Sequence, residues 1–151
     1  MSDPALCDAF YDQLAPWYHL IYPDWEASMR RQAASIDAVL HDFQRRPTVD
    51  IVDVACGIGT QAIGLAQLSY RLAVADMRNA YVRHGGGFDA VLCGDNSITH
   101  LLTDQDIGRA LGQFLQCLAP GGACLVSTRD YDLEQATERQ IKPYGLREAE
   151  G

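Results

Sequence analysis

The stretch "VDIVDVACGIGTQAIGLAQL" (residues 49–68) constrains the fold more than any other part of the chain. Residues 49–54 are β-branched apart from two aspartates, which is strand composition. Glycines at 57 and 59 then interrupt the strand, and a helix-forming run follows. A strand passing through a glycine turn into a helix opens a parallel β–α–β crossover. A parallel sheet needs cover on both faces, so such a chain must fold as a sheet between helices.

Downstream residues repeat the alternation. "FDAVLC" (88–93) and "ACLVST" (123–128) read as apolar strands, and "LSYRLAVADMRN" (68–79) as one more strand-like run before a loop at Gly85, Gly86 and Gly87. Thr103 with Asp106 makes a capping-box start for the helix "DIGRALGQFLQCL", which is expected to stop at "APGG". Upstream, Asp24 caps a helix whose Met29, Ile36, Val39, Leu40 and Phe43 recur on one face. Before it, "FYDQLAPWYHLIY" is aromatic-rich and expected to break at Pro16 and Pro23. Those aromatics read either as a lid packed on the core or as one closing over a ligand. The expectation is a single α/β domain over residues 1–151: a helical lid (1–46), a sheet core (47–132) and a polar tail (133–151).

Charge and cysteine usage exclude several classes. A formal net charge of -8 argues against a nucleic-acid partner, which needs clustered Lys and Arg. No run approaches the ~20 apolar residues of a membrane helix. Five cysteines, at 7, 56, 93, 117 and 124, form no CxxC pair, and Cys93, Cys117 and Cys124 read as core fillers. The histidines at 19, 41, 84 and 100 lack ligand spacing. These features predict a cytoplasmic, metal-free protein.

Gly57, Gly59 and Ala62 satisfy G-x-G-x-x-[GA], a pattern that alone fits a nicotinamide or flavin site, another nucleotide-like ligand, or a ligand-free turn. Asp53 separates these. Inside a strand running straight into Gly57 it would be an unpaired charge; at a strand end it would lie where ligands bind. The longer loop "ACGIG" then suits S-adenosyl-L-methionine: glycines admit its amino-acid part, the N–H groups near Thr60 favour its carboxylate, and an acid suits its ammonium.

Taken together, "YDQLAPWYHLIYPDW", "DVACGIGTQAIGLA", "FDAVLCGDNSITHLL" and "LAPGGACLVSTRDYD" resemble class I S-adenosylmethionine-dependent methyltransferases, most closely the glycine/sarcosine N-methyltransferase group. The resemblance implies a Rossmann-like sheet, of order 3-2-1-4-5-7-6 in the family, here reduced to about four mainly parallel strands with an N-terminal helical lid. Two departures stand out. Asp76 fits the family's strand-2 acid, which holds the ribose hydroxyls, and equally the strand-3 acid that, with an apolar neighbour (here Met77), touches adenine. The intervening elements are therefore missing near residues 70–76, leaving one hybrid strand, of strand-3 ancestry by its longer downstream match. The family's last strands are also absent, which predicts an open sheet edge that pairs with a second copy.

By the same resemblance Asp53, Ala55, Cys56, Gly57, Gly59, Asp76, Met77 and Gly94 surround the cofactor, with Trp25 and Arg30 added from the lid, where Tyr11 and Tyr18 also face the methyl sulfonium. Asn96 and Arg129 meet the acceptor and its carboxylate, and His100 faces the amino-acid end of the cofactor. Read from the residues alone, Asn96 is also a loop closer, His100 a cap for the next helix, and Arg129 a partner of Asp130 or Asp132. The implied activity is methyl transfer to a small molecule, an amine bearing a carboxylate. Alternatives are a catalytically impaired remnant of the family and a nicotinamide-binding oxidoreductase.

Overall fold

The computed structural model of the protein describes residues 4–43 and 48–130; the tail predicted at 133–151 and Asp132 lie outside them. In chain order the elements are α1 (Pro4–Tyr18), a 3-10 turn (His19–Ile21), α2 (Trp25–Phe43), β1 (Asp50–Asp53), α3 (Thr60–Gln67), β2 (Arg71–Val74), α4 (Ala80–His84), β3 (Phe88–Cys93), a 3-10 turn (Ser97–His100), α5 (Asp104–Cys117) and β4 (Leu118–Val126). The four strands form one sheet of order β2-β1-β3-β4, and every pair is parallel.

Strand side chains alternate between two packed layers, as the period of two requires. Val52, Val54, Val91 and Cys93 face α4 and α5 through Ala80, Ala110, Phe114 and Cys117. Ile51, Ala90 and Leu92 face the opposite side, where Ala33 and Leu40 of α2 and Leu65 of α3 cover them. Asp89 is buried between β1 and β3, and its Oδ2 accepts the N–H groups of Val49 and Asp50 at 2.9 and 3.0 Å. That carboxylate joins the start of β1 to β3.

Both predicted caps are made. Asp24 Oδ1 accepts from Ala27 N–H at 2.8 Å, and Thr103 Oγ1 accepts from Asp106 N–H at 3.1 Å while donating to Asp106 Oδ2 at 2.7 Å. Other expectations are corrected. Pro16 does not break α1: it stands in the last turn, and the helix runs on to Tyr18. The buried positions of α2 are Ser28, Met29, Ala33 and Leu40, whereas Val39 and Phe43 are exposed. Residues 80–84, between the strand-like run and the glycine loop, form the short helix α4.

The end of α5 also differs. The helix stops at Cys117 and β4 begins at once, so "APGG" lies within the strand rather than before it. Pairing runs Phe88 to Leu118 and then Ala90 to Ala123, so the surplus β4 residues bulge outward there. A bulge is a place where Pro120, with no N–H to give, is tolerated. Cys93 and Cys117 fill the core as expected, but Cys124 is exposed. It lies on β4, whose only strand neighbour among the described residues is β3.

The run at 68–79 yields one strand, β2, beside β1, with Asp50 opposite Arg71 and Asp53 opposite Val74. A bidentate Arg71–Asp50 ion pair spans the two strands at the surface. The hybrid strand therefore occupies the place next to β1 that its upstream count required, whatever its ancestry.

Candidate functional site

All four strands being parallel, their carboxyl ends lie together, and the segments that follow them build two adjoining hollows. The larger, about 490 Å³, is walled by Val54–Ile58 after β1, Ala75–Arg78 after β2, Asp95, Ser97 and His100 after β3, and Tyr11, Asp12 and Tyr18 of α1. The smaller, about 410 Å³, lies among Tyr18, Tyr22, Gln32, Asp95, Asn96 and Ser127–Arg129. Tyr18 and Asp95 face both.

The turn after β1 is shaped by Gly57 (φ 54°) and Gly59 (φ 88°), both in the left-handed region where side chains are strained. A Cβ on Gly59 would also come within 2.9 Å of Ile63 Cδ1. The turn brings Ala55, Cys56 and Gly57 to the wall of the larger hollow, while Gly59 caps α3 behind them. Burial pushes the Cys56 thiol up to about 11, so it stays protonated. Gly94 lies against Gln61: a Cβ there would overlap the amide of that side chain, which Gln32 Oε1 accepts from at 3.1 Å.

β1 ends at Asp53, as the longer-loop reading requires, but the acid is completely enclosed. Its Oδ1 accepts Ala55 N–H at 3.0 Å, and its Oδ2 has no partner among the described residues. Burial raises its pKa to about 6, Asp95 adds to the rise, and the Ala55 hydrogen bond opposes it. Asp76 is the reverse case. It lies half-exposed two residues past β2, its pKa lowered chiefly by the Arg78 side chain, which binds both carboxylate oxygens. Met77 beside it lines the same hollow.

Asn96 (φ 65°) closes the loop after β3: its N–H donates to Ser127 O, its Oδ1 accepts from Arg129 N–H, and its Nδ2 donates to Thr99, each at 3.1 Å. The loop-closing role is thus built, and Asn96 and Arg129 line the smaller hollow together. His100 does not cap α5, a task that Thr103 performs; its Nε2 meets Tyr11 Oη at 3.2 Å. Trp25 reaches the start of α3 through its indole N–H, which donates to Thr60 Oγ1 at 3.0 Å. Arg30 stands apart from both hollows, exposed on α2 and paired with Glu26 one turn away.

Sequence reasoning passed over Asp95, Tyr22 and Arg78. Burial raises the Asp95 pKa, against a hydrogen bond from Tyr22 and the charge of Arg129. Burial likewise raises Tyr18 and Tyr22. An acid directly after a strand and an arginine two places past another acid were the available signals. Among the described residues no cluster of His, Cys, Asp and Glu is arranged to hold a metal, and no helix is long and apolar enough to cross a membrane.

The fold agrees with what the chain is similar to. Two solved structures superpose on it with 23% identity: SAM-bound CalS10, an amino pentose methyltransferase from Micromonospora echinaspora (TM-score 0.58, 68% of this chain and 51% of that one), and Streptomyces venezuelae DesVI (TM-score 0.56, 85% and 58%). The fold is accordingly the Rossmann-like one seen in class I S-adenosylmethionine-dependent methyltransferases. In sequence the chain resembles glycine/sarcosine N-methyltransferases. The relative from Halorhodospira halochloris is 25% identical over 83% of this chain and 53% of its own length. That from Parasynechococcus marenigrum (strain WH8102) is 29% identical over 77% and 49%. The chain thus spans about half the length of the curated relatives it matches. No established family profile matches it.

Proposed function

We propose that this chain binds S-adenosyl-L-methionine in the larger hollow and transfers its methyl group to a small amine bearing a carboxylate in the smaller one. The observation that carries this reading is the junction of the two hollows at Tyr18 and Asp95, with the glycine turn and Asp76 on one side and Asn96 and Arg129 on the other. The residues fit the cofactor: backbone at Ala55–Gly57 is open to close approach, and the three lining carboxylates (Asp12, Asp76 and Asp95) favour a ligand with cationic groups.

The cofactor supplies a methyl group already activated on a sulfonium, so the protein's share is orientation and a sheltered, suitably charged site. Asp76 receives the ribose hydroxyls, and the N–H groups at the start of α3 face the amino-acid end. Tyr11 and Tyr18 present aromatic faces and hydroxyls to the cationic centre. Arg129 pairs the acceptor's carboxylate, a planar group that a guanidinium matches, and Asn96 fixes the segment that carries it. Asp95 accepts the acceptor's N–H, aiming the nitrogen lone pair at the junction. We also propose that the β4 edge, which no strand covers among the described residues, pairs with a second copy of the chain.

Calorimetric titration with S-adenosylhomocysteine tests the cofactor half. Micromolar binding that Asp76→Ala abolishes supports it; no binding by folded wild-type protein rejects it. For the acceptor half, Arg129→Ala should raise the glycine KM roughly tenfold to a hundredfold, as losing a charged hydrogen bond of about 1.5–3 kcal/mol implies. Cofactor affinity should stay within about twofold; equal loss of both would remove Arg129 from the acceptor site.

A further inference from the structure

The carboxylate assigned to the ribose is already occupied by the protein itself. Ala75 N–H still donates to Asp53 O at 2.9 Å, so the chain remains pinned to β1 one residue past β2. It then turns: Asn79 N–H donates to Asp76 O at 3.0 Å, and Arg78 N–H to Asp76 Oδ1 at 2.8 Å. A carboxylate that accepts a backbone N–H two residues on is a common turn device. Here it carries an arginine back onto its own acid.

Arg78 Nε lies 2.9 Å from Asp76 Oδ1 and 3.0 Å from Oδ2, and Nη2 lies 2.5 Å from Oδ2. With the backbone N–H, three donors converge on the carboxylate, Nε shared between its two oxygens, so each oxygen is already engaged and most of the roughly four lone-pair positions are taken. A vicinal diol needs an acceptor position on both oxygens. Asp76 and Arg78 both line the larger hollow, so the guanidinium sits where the diol would bind.

We infer that Arg78 is an internal competitor for the nucleoside diol: ligand entry requires its guanidinium to leave Asp76, and Arg78 therefore sets both the affinity of the site and its dependence on salt. This rests on the reading above that Asp76 receives the ribose hydroxyls. The backbone bond from Arg78 N–H to Asp76 survives any substitution of the Arg78 side chain, so the acid keeps its position when the guanidinium is removed. The pair is exposed enough, at 48% and 38%, that releasing it costs little, and the effect is a tuning of affinity rather than a block.

The test is titration of S-adenosylhomocysteine into wild type, Arg78→Ala, Arg78→Lys and Asp76→Ala, each checked for folding by circular dichroism. It is run at about 20 mM and about 300 mM salt, which bracket strong and weak screening. Arg78→Ala should bind about threefold to fivefold more tightly than wild type at low salt, as expected for a half-exposed ion pair. The advantage should shrink toward none at high salt, and Arg78→Lys, which keeps charge but not the planar fork, should fall between. Equal or weaker binding by Arg78→Ala at low salt, with Asp76→Ala still inactive in binding, overturns the inference alone. Wild-type-like binding by Asp76→Ala, or none by any folded protein, removes the ribose assignment and the inference with it.

Discussion

β1 and β2 are neighbours in one sheet, each four residues long, and each hands an aspartate to the same end of the molecule. They are built in opposite ways. β1 has a strand on either side and helices on both faces, so Asp53 is sealed in with one oxygen unmatched. β2 pairs with β1 alone among the described residues, its ends Arg71 and Val74 are exposed, and Asp76 is bound through both oxygens. One acid is fully buried with a single hydrogen bond, and the other is half-exposed with several. Place in the sheet, not residue type, decides which carboxylate carries a hidden cost and which stays within reach of solvent.

The largest test of that contrast is packing. Ile51→Ala in β1 should cost about 2–5 kcal/mol, the range for emptying a closed core site. Val74→Ala in β2, where the side chain is half in solvent, should cost under about 0.5 kcal/mol. Urea melts of the two variants measure this directly, and similar losses would break the comparison.

The next test is the pH signature of Asp53. Its folded pKa of about 6 lies above its ordinary 3.8, so between these values the folded chain holds a proton that the unfolded chain has released. Stability should therefore fall as pH rises from about 4 through about 6, by up to about 3 kcal/mol for a two-unit displacement. Asp53→Asn should flatten most of that slope in melts taken at pH 5 and pH 7.5; an unchanged slope would assign it elsewhere.

Asp76 should leave the opposite and smallest mark. Arg78 holds its pKa below 3.8, so its contribution is present above that value and fades as pH drops through the folded pKa. Solvent screening keeps it under about 1 kcal/mol. Removing Arg78 should abolish it, and a difference between wild type and Arg78→Ala that persisted unchanged from pH 5 to pH 2.5 would count against the pair.

What was legible in the sequence was local. The glycine turn, the caps at Asp24 and Thr103 and the apolar strands at 88–93 and 123–126 depend on residues within a few places of one another. What escaped depends on neighbours far along the chain. Cys124 and Phe43 look like core residues in the sequence, yet among the described residues both are exposed. Asp53 was expected to meet a ligand's ammonium, but Val54 and Ala55 form the wall and leave the acid behind it. Arg30 was aimed at the site, yet its position on α2 turns it to Glu26, while Trp25 finds Thr60. Asp76 supported two counts because its strand lacks an independent neighbour in sequence. Pairing with β1 settled its position, and Arg78, two residues on, supplied its partner.

The lid is fastened by contacts that reach forward along the chain: Trp25 to Thr60, 35 residues later, and Tyr11 to His100, 89 residues later. During synthesis the lid therefore leaves the ribosome before its docking surface exists. At roughly 5–20 residues per second, Tyr11 waits on the order of ten seconds for His100 to be made. Through that interval Phe10 and Trp17, still 60% and 54% exposed in the finished fold, stand in the open. A ribosome-stalled chain ending just before His100 should be cut within α1 more readily than the released protein, and equal protection would show that the helix docks without its anchor. Expression of this chain should accordingly depend more on holdase chaperones acting on its first twenty or so residues than on the final stability of the sheet.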